Sequence, residues 1–219
     1  MTEQNRLADR ESVIQVKKMN KWYGDFHVLT DIDLDVKQGE RIVICGPSGS
    51  GKSTLIRCLN RLEEHQEGDI TVNGIELGDN VKNIEVIRKD VCMVFQHFNL
   101  FPHLTVMQNV ALACGPQLRP SGAVIAQVNE MLEKVGLDGM AERKPAALSG
   151  GQQSRAALAR ALLQDREIML MDEPFSALGP ALKADMLDLS VSLAAAAGRT
   201  VIMVTHDPAD AAQVADSIV

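Results

Sequence analysis

Nine residues, GPSGSGKST at positions 46–54, restrict what this chain can fold into more than any other stretch. Gly46 to Ser53 fits the pattern G-x-x-x-x-G-K-[ST], and its setting fits too. Ahead of it stands RIVIC, a short apolar run typical of a strand buried on both faces. Behind it, the pattern predicts a helix from about Ser53 to Leu62. Strand, glycine-rich turn and helix together form a phosphate cradle. Gly46, Gly49 and Gly51, with Pro47, Ser48 and Ser50 between them, let the backbone N–H groups wrap an anion. The helix start adds positive potential. Lys52 reaches toward the β and γ phosphates, the Ser53 hydroxyl suits Mg²⁺, and Thr54 completes the set. At ordinary residue frequencies such a match arises at roughly one position in tens of thousands. An incidental glycine turn is therefore the weaker reading.

The rest of the chain supplies the sheet that such a loop needs. VIQVKKM (13–19) and VLTDIDLDV (28–36) alternate like antiparallel strands, and GDITVNGIEL reads as a hairpin turning at Asn73-Gly74. VCMVF, EIMLM and RTVIMV read as buried strands. Helical patterns run from Leu104 to about Gly136, interrupted by CGPQLRPSG, with one helix predicted over Ser121–Val135. Further helices are expected over about 152–163, 180–197 and 208–215, and ADSIV opens like another strand. Buried strands alternating with helices imply a parallel α/β core.

Polar groups collect where those strands end. In IMLMDEP a buried strand ends in Asp172 and Glu173. Ligands of parallel sheets bind at the carboxyl ends of the strands. Asp172 is thus placed to hold Mg²⁺, directly or through water, and Glu173, pointing the other way, to polarise an attacking water. By itself, DE at a strand end reads equally well as a solvated terminus. His206 ends TVIMV and could touch a γ-phosphate and that water. Gln96 ends VCMVF, where its amide can contact Mg²⁺ or water. Four strands delivering polar groups to one edge say more than any single motif.

LSGGQ, residues 148–152, precedes the helix pattern AALARALL. Ser149, Gly150, Gly151 and Gln152 at a helix start could hold an anion. Read locally, Ser149 is an N-cap and the glycines a tight turn. One fold seldom needs two cradles for the same phosphates. If this second one binds an anion, the economical assignment is a nucleotide held by another copy of the chain.

The 219 residues suit one domain, or one domain with a sizeable insertion. A net charge of −7 argues against general affinity for nucleic acid or anionic lipid. No apolar run approaches the roughly 18–20 residues of a membrane span, and the polar start MTEQNRLADRES lacks a signal-peptide core. These features predict a cytoplasmic address. Cys45, Cys58, Cys92 and Cys114 are widely spaced without a C-x-x-C, which predicts reduced, buried thiols.

Together these residues resemble the ABC-type ATPases over nearly the whole chain. GPSGSGKST is similar to their Walker A loop, Gln96 to the Q-loop glutamine, LSGGQ to the signature, IMLMDE to Walker B, SALGP to the D-loop and His206 to the switch histidine. Tyr23 matches the aromatic that stacks on adenine, although locally it also reads as a strand aromatic packing on the core. The resemblance implies a P-loop NTPase fold of class α/β. A mainly parallel core sheet is joined by an antiparallel β subdomain and an inserted α-helical subdomain. Residues 1–95 and 160–219 would form the RecA-like core and its β subdomain, and 96–159 the helical subdomain, within a single domain 1–219. It implies ATP and Mg²⁺, the latter held by Ser53, Gln96 and Asp172. Catalysis would fall to Glu173, His206 and Gln96. It also implies a head-to-tail dimer in which the signature of one subunit closes over ATP held by the other. Integral membrane permease subunits, and indirectly a solute-binding protein, would complete the machine at the cytoplasmic face of the inner membrane. No nucleic acid partner is expected.

The first half of the chain, through VFQHFNLFPHLTV, resembles polar amino acid importer ATPases. The later half, including DEPFSALGPALKADMLDL, looks more like thiamine-importer ATPases. The change falls near residues 106–112, as in a divergent member or a chimera of the two. Amino acids are the preferred solute, because the Q-loop segment that meets the membrane subunit is amino-acid-like in its first part. Three departures stand out. Gly179 replaces the usual Asp of the D-loop, Ser154 stands where Gln is frequent, on an expected helix surface with little effect, and the chain ends before the family's closing region. Two other readings compete. A small-molecule kinase would have no use for LSGGQ. ABC proteins acting on ribosomes or DNA usually carry two cassettes or a long coiled-coil insert, and this chain shows neither.

Overall fold

The structure, a computed structural model, describes residues 10–78, 81–116 and 119–219. Most of the polar N-terminal stretch, residues 1–9, lies outside the described residues, as do Gln117 and Leu118 in the interruption of the helical region. Two sheets form the frame. In the first, β1 (Ser12–Tyr23) pairs antiparallel with β2 (Phe26–Lys37) and with β4 (Glu67–Val72). Strand β5 (Ile75–Glu76) adds to β4, giving the order β2-β1-β4-β5. Asn73 and Gly74 turn β4 into β5 with φ of +47° and +74°. Both being positive, this is the type I′ geometry that suits a two-residue hairpin.

The second sheet is parallel throughout, in the order β6-β7-β8-β3-β9. Its strands are β3 (Arg41–Cys45), β6 (Val91–Val94), β7 (Ile168–Asp172), β8 (Thr200–Thr205) and β9 (Ser217–Ile218). Successive side chains face opposite sides, and each side has its own core. Ile42, Ile44, Ile168, Leu170, Ile202 and Val204 pack with β1, β4 and Leu55, Ile56 and Leu59. Val43, Met169, Met171, Val201 and Met203 pack on the other side, among helices. Covered on both faces, these strands need continuous apolar runs, and that is how they read.

Helix α1 (Lys52–Cys58) follows β3 and is shorter than the sequence pattern predicts. Arg61, at φ +58°, donates from N to Cys58 O, and Leu62 N donates to Arg57 O. This is a Schellman-type stop carried by an arginine instead of the usual glycine. Helix α2 (Val81–Asp90) is one the sequence reading passes over. Ile84 and the buried Ile87 stand three residues apart in an otherwise mostly polar run, an amphipathic helical spacing that the reading overlooks.

Between β6 and β7 lies a helical unit. Helix α3 (Val106–Ala111) starts from a Thr105–Gln108 capping box, and α4 (Gly122–Lys134) is capped by Ser121. With α5 (Gly150–Leu163) they enclose a third core containing Val106, Val110, Val128, Leu132, Ala156 and Ala159. Leu158, Ala161 and Leu162 of the same α5 belong to the core under the parallel sheet. Two-sided burial corrects the expectation for Ser154. It is 1% exposed instead of lying on a helix surface, and its Oγ makes no hydrogen bond among the described residues.

Helices α6 (Pro180–Ala196) and α7 (Pro208–Val214) complete the layer. Gly179 is the N-cap of α6, with φ −65° and open space around a would-be Cβ. Nothing in the backbone requires glycine there. The cysteines are free, but Cys114 is exposed and Cys45 half-buried, so the expectation of four buried thiols holds for Cys58 and Cys92. Burial pushes both of those thiols up to about 11, which keeps them protonated and inert. Among the described residues, no helix is long and apolar enough to cross a membrane.

Candidate functional site

Strands β6, β7, β8 and β3 are neighbours and end at the same edge of the parallel sheet. Gly46 N donates to Thr205 O, which seats the Gly46–Thr54 loop against the end of β8. Gly49 and Gly51 have φ of +82° and +89°. A Cβ on Gly51 would also lie 2.7 Å from Leu29 Cδ2, so the loop folds tightly onto β2. Helix α1 has no side-chain cap, leaving its first N–H groups for another acceptor. Lys52 Nζ donates to Gly46 O at 2.7 Å and Pro47 O at 2.8 Å, which holds the ammonium across the loop. Ser48, Gly49 and Ser50 are exposed. These groups fit a polyphosphate: donors, a cation and an open face, with no competing carboxylate bonded to the loop before Ser53.

The two adjacent carboxylates part company. Asp172 continues the face of Ile168 and Leu170, and is 2% exposed. It accepts from Ser53 Oγ at 2.6 Å and from Arg57 Nη2 at 3.0 Å. Glu173 has φ +44°, uncommon for a residue other than glycine. Its N donates to Val204 O while the backbone turns out of the strand. The side chain then meets His206, whose Nδ1 lies 3.0 Å from Glu173 Oε2. Strain of about 1–3 kcal/mol at such a backbone is held by the surrounding packing. Ser53 and Asp172 bring two hard oxygens together, the donor type that Mg²⁺ takes. Among the described residues, no three His, Cys, Asp or Glu side chains gather as a ready metal cage. A magnesium ion would therefore need phosphate oxygens and water to complete its shell.

The remaining candidates lie around this centre. Gln96 is exposed beyond the end of β6 and takes part in no hydrogen bond among the described residues. The segment after it is fixed: Arg160 of α5 donates to Phe98 O and Asn99 O, and buried Asn109 bonds Phe101 N and O. Tyr23 is 46% exposed at the β1–β2 turn, so it is not a core aromatic. Partial burial raises the pKa of its hydroxyl. Lys21 Nζ sits 4.4 Å from its ring centroid.

Ser149 is the N-cap of α5. Its Oγ accepts from Gln152 N, and Gln152 Oε1 accepts from Ser149 N, a complete capping box. Gly151 is packed so closely that a Cβ would lie 2.4 Å from Leu182 Cδ2, whereas Gly150 faces open space. No hydrogen bond joins residues 148–152 to the Gly46–Thr54 loop among the described residues.

The sequence reading missed two ionic partners of the site. Arg57 lies four residues after Ser53 on α1, and that spacing could have placed both on Asp172. Lys183 binds Asp207 and Asp210, both just after His206 at the start of α7, across 24 and 27 positions of chain. No local pattern marks that pairing.

Comparison with known proteins gives consistent matches. Residues 29–176 match the family described as ABC transporter. The general L-amino acid transport ATP-binding protein AapP of Rhizobium johnstonii is 51% identical over 214 residues, covering 97% of this chain and 83% of that protein. CbiO1 of Clostridium perfringens, described as part of an ABC transporter complex, superposes with a TM-score of 0.81 at 28% identity. That match covers 90% of this chain and 80% of that one. The ATP-binding cassette MJ0796, solved as a dimer in a post-hydrolysis state with ADP and Pi, gives 0.79 at 36% identity. It covers 90% of both chains.

Proposed function

The chain belongs to the ABC transporter family, and on that premise we propose that it is the ATP-hydrolysing subunit of an amino acid importer. One observation carries the chemistry. Ser53–Asp172 at 2.6 Å and Glu173–His206 at 3.0 Å stand at the ends of neighbouring parallel strands beside the glycine cradle. The Gly46–Thr54 loop holds the ATP phosphates, Lys52 offsets their charge, and Tyr23 takes the adenine. A magnesium ion held by Ser53, Asp172 and Gln96 would neutralise charge building on the β and γ oxygens.

Glu173 orients water and accepts its proton as the water oxygen bonds to the γ-phosphorus and the bond to the bridging oxygen breaks. An ionised Glu173 can only accept, so His206 Nδ1 must be its donor. His206 Nε2 then donates to a phosphate only when the ring is protonated. In the neutral ring it accepts, from the same water.

Ser149, Gly150, Gly151 and Gln152 would complete the site of a second copy, head to tail. Two observations support this. Gly150 has neither a positive φ nor a crowded Cβ, so nothing within its own chain requires glycine there. MJ0796, at 36% identity, is a dimer. Permease subunits would hold the dimer at the cytoplasmic face of the membrane, with a solute-binding protein delivering the cargo. The amino acid assignment rests on AapP, whose match covers 97% of this chain and so takes in both halves.

Glu173→Gln is expected to bind ATP as the parent does, to lose at least 100-fold in turnover on the order of a missing general base, and to accumulate as a dimer by light scattering. Full turnover would remove Glu173 from its role. In liposomes with candidate permeases and binding protein, L-amino acids and not thiamine are expected to stimulate hydrolysis.

A further inference from the structure

His206 itself is loosely held. Its side chain is 46% exposed and, among the described residues, makes one hydrogen bond, to Glu173. Its backbone is held much more firmly. Thr205 Oγ1 donates to Asp210 Oδ2 at 2.6 Å and accepts from Asp207 N at 3.1 Å. Asp207 Oδ1 caps α7 by accepting from Ala209 N at 3.0 Å. The second oxygen of each Asp converges on one cation: Lys183 Nζ lies 2.8 Å from Asp207 Oδ2 and 2.7 Å from Asp210 Oδ1. Lys183 sits in the first turn of α6, four residues after Gly179. Its side chain is 16% exposed and that of Asp210 is 8%, so this ion pair is far less screened than a surface one.

We propose that Lys183 is the positioning residue of His206, one ammonium fastening the loop that carries the imidazole to the start of α6. The inference rests on the role given to His206 above. The cross-link means that the SALGP segment and the histidine loop move as one body within a chain. In this protein Gly179 lacks a side chain with which to reach anything itself. Burial works against a charge on Lys183, yet the bonds from Asp207 and Asp210 outweigh it and hold its pKa above the ordinary lysine value. The clamp therefore stays charged at neutral pH.

The test compares Lys183→Gln, Lys183→Arg, His206→Ala and the double variant Lys183→Gln/His206→Ala, all in the full chain. Lys183→Gln is expected to lower kcat about tenfold with the KM for ATP within twofold, a loss the size of a misplaced catalytic group. Lys183→Arg should restore most of it. The double variant should be no worse than His206→Ala. A proton resonance from His206 Nδ1–H, protected by Glu173, should persist in Lys183→Arg and vanish in Lys183→Gln.

An unchanged kcat in Lys183→Gln while His206→Ala is impaired overturns the proposal, as does an additive double variant or a persistent Nδ1–H signal. Full turnover by His206→Ala would instead sink the histidine's role, and the proposal with it. Should Lys183→Gln not fold, Asp207→Asn keeps the helix cap, removes one ion pair, and should show the same loss at smaller size.

Discussion

Gly51 carries two constraints at one position: φ of +89°, and Leu29 Cδ2 at 2.7 Å from where a Cβ would stand. Gly51→Ala is expected to cost about 1–3 kcal/mol in denaturant unfolding, from the left-handed backbone and the displaced leucine together. Nucleotide affinity should fall with it, because relief of the strain opens the loop. Unchanged stability would mean that the loop relaxes freely. Residues such as Gly51 are readable from sequence because cradle chemistry is contiguous: nine neighbours supply the N–H groups, the cation and the hydroxyl. Glu173 and His206 are readable as strand ends. Their contact is not, since it depends on the left-handed turn at Glu173, which no composition signals. Lys183 is hidden for the same kind of reason. Its partners are brought near by packing α6 against α7, and a lysine on a helix reads as solvated until both are placed.

Helix α5 shows where the reading of elements fails. Its pattern was clear enough to set its ends within two residues, because Ser149 caps it and alanines and leucines fill it. Which face is wet was not clear, because it has apolar neighbours on both sides. Ser154 lies in that ambiguity. With Oγ buried and unpartnered, Ser154→Ala is expected to stabilise the chain by about 1 kcal/mol, from the desolvated hydroxyl and the gain in helix propensity. Thermal or denaturant unfolding measures it, and a loss of stability would reveal a partner for Oγ. Strands are easier to read from the sequence, for a physical reason. A parallel sheet covered on both faces leaves uninterrupted apolar runs, whereas α2 is mostly polar and shows only a narrow apolar stripe through Ile84 and the buried Ile87.

At the scale of the whole molecule, the open face of Gly150 and the uncapped start of α1 would, in the proposed function, be two half-sites on one chain. If each is completed by a second copy, Lys52→Ala and Ser149→Arg subunits, inactive alone, should regain part of the activity when mixed. A mixed dimer holds one site with both defects and one with neither. Absence of any recovery in dimers shown to be mixed would count against head-to-tail sharing. Helix α5 then has a mechanical meaning. Its 14 residues make a rod of about 21 Å, wedged between two cores with the exposed Ser149 just ahead of its first turn. Pivoted at the sheet, such a lever turns a tilt of about 5° into roughly 2 Å of travel at its tip. That is enough to break a hydrogen bond to a phosphate. Small settling at the strand ends, passed through Arg160 and the pinned segment after Gln96, could in this way be geared up into the opening or closing of a shared site.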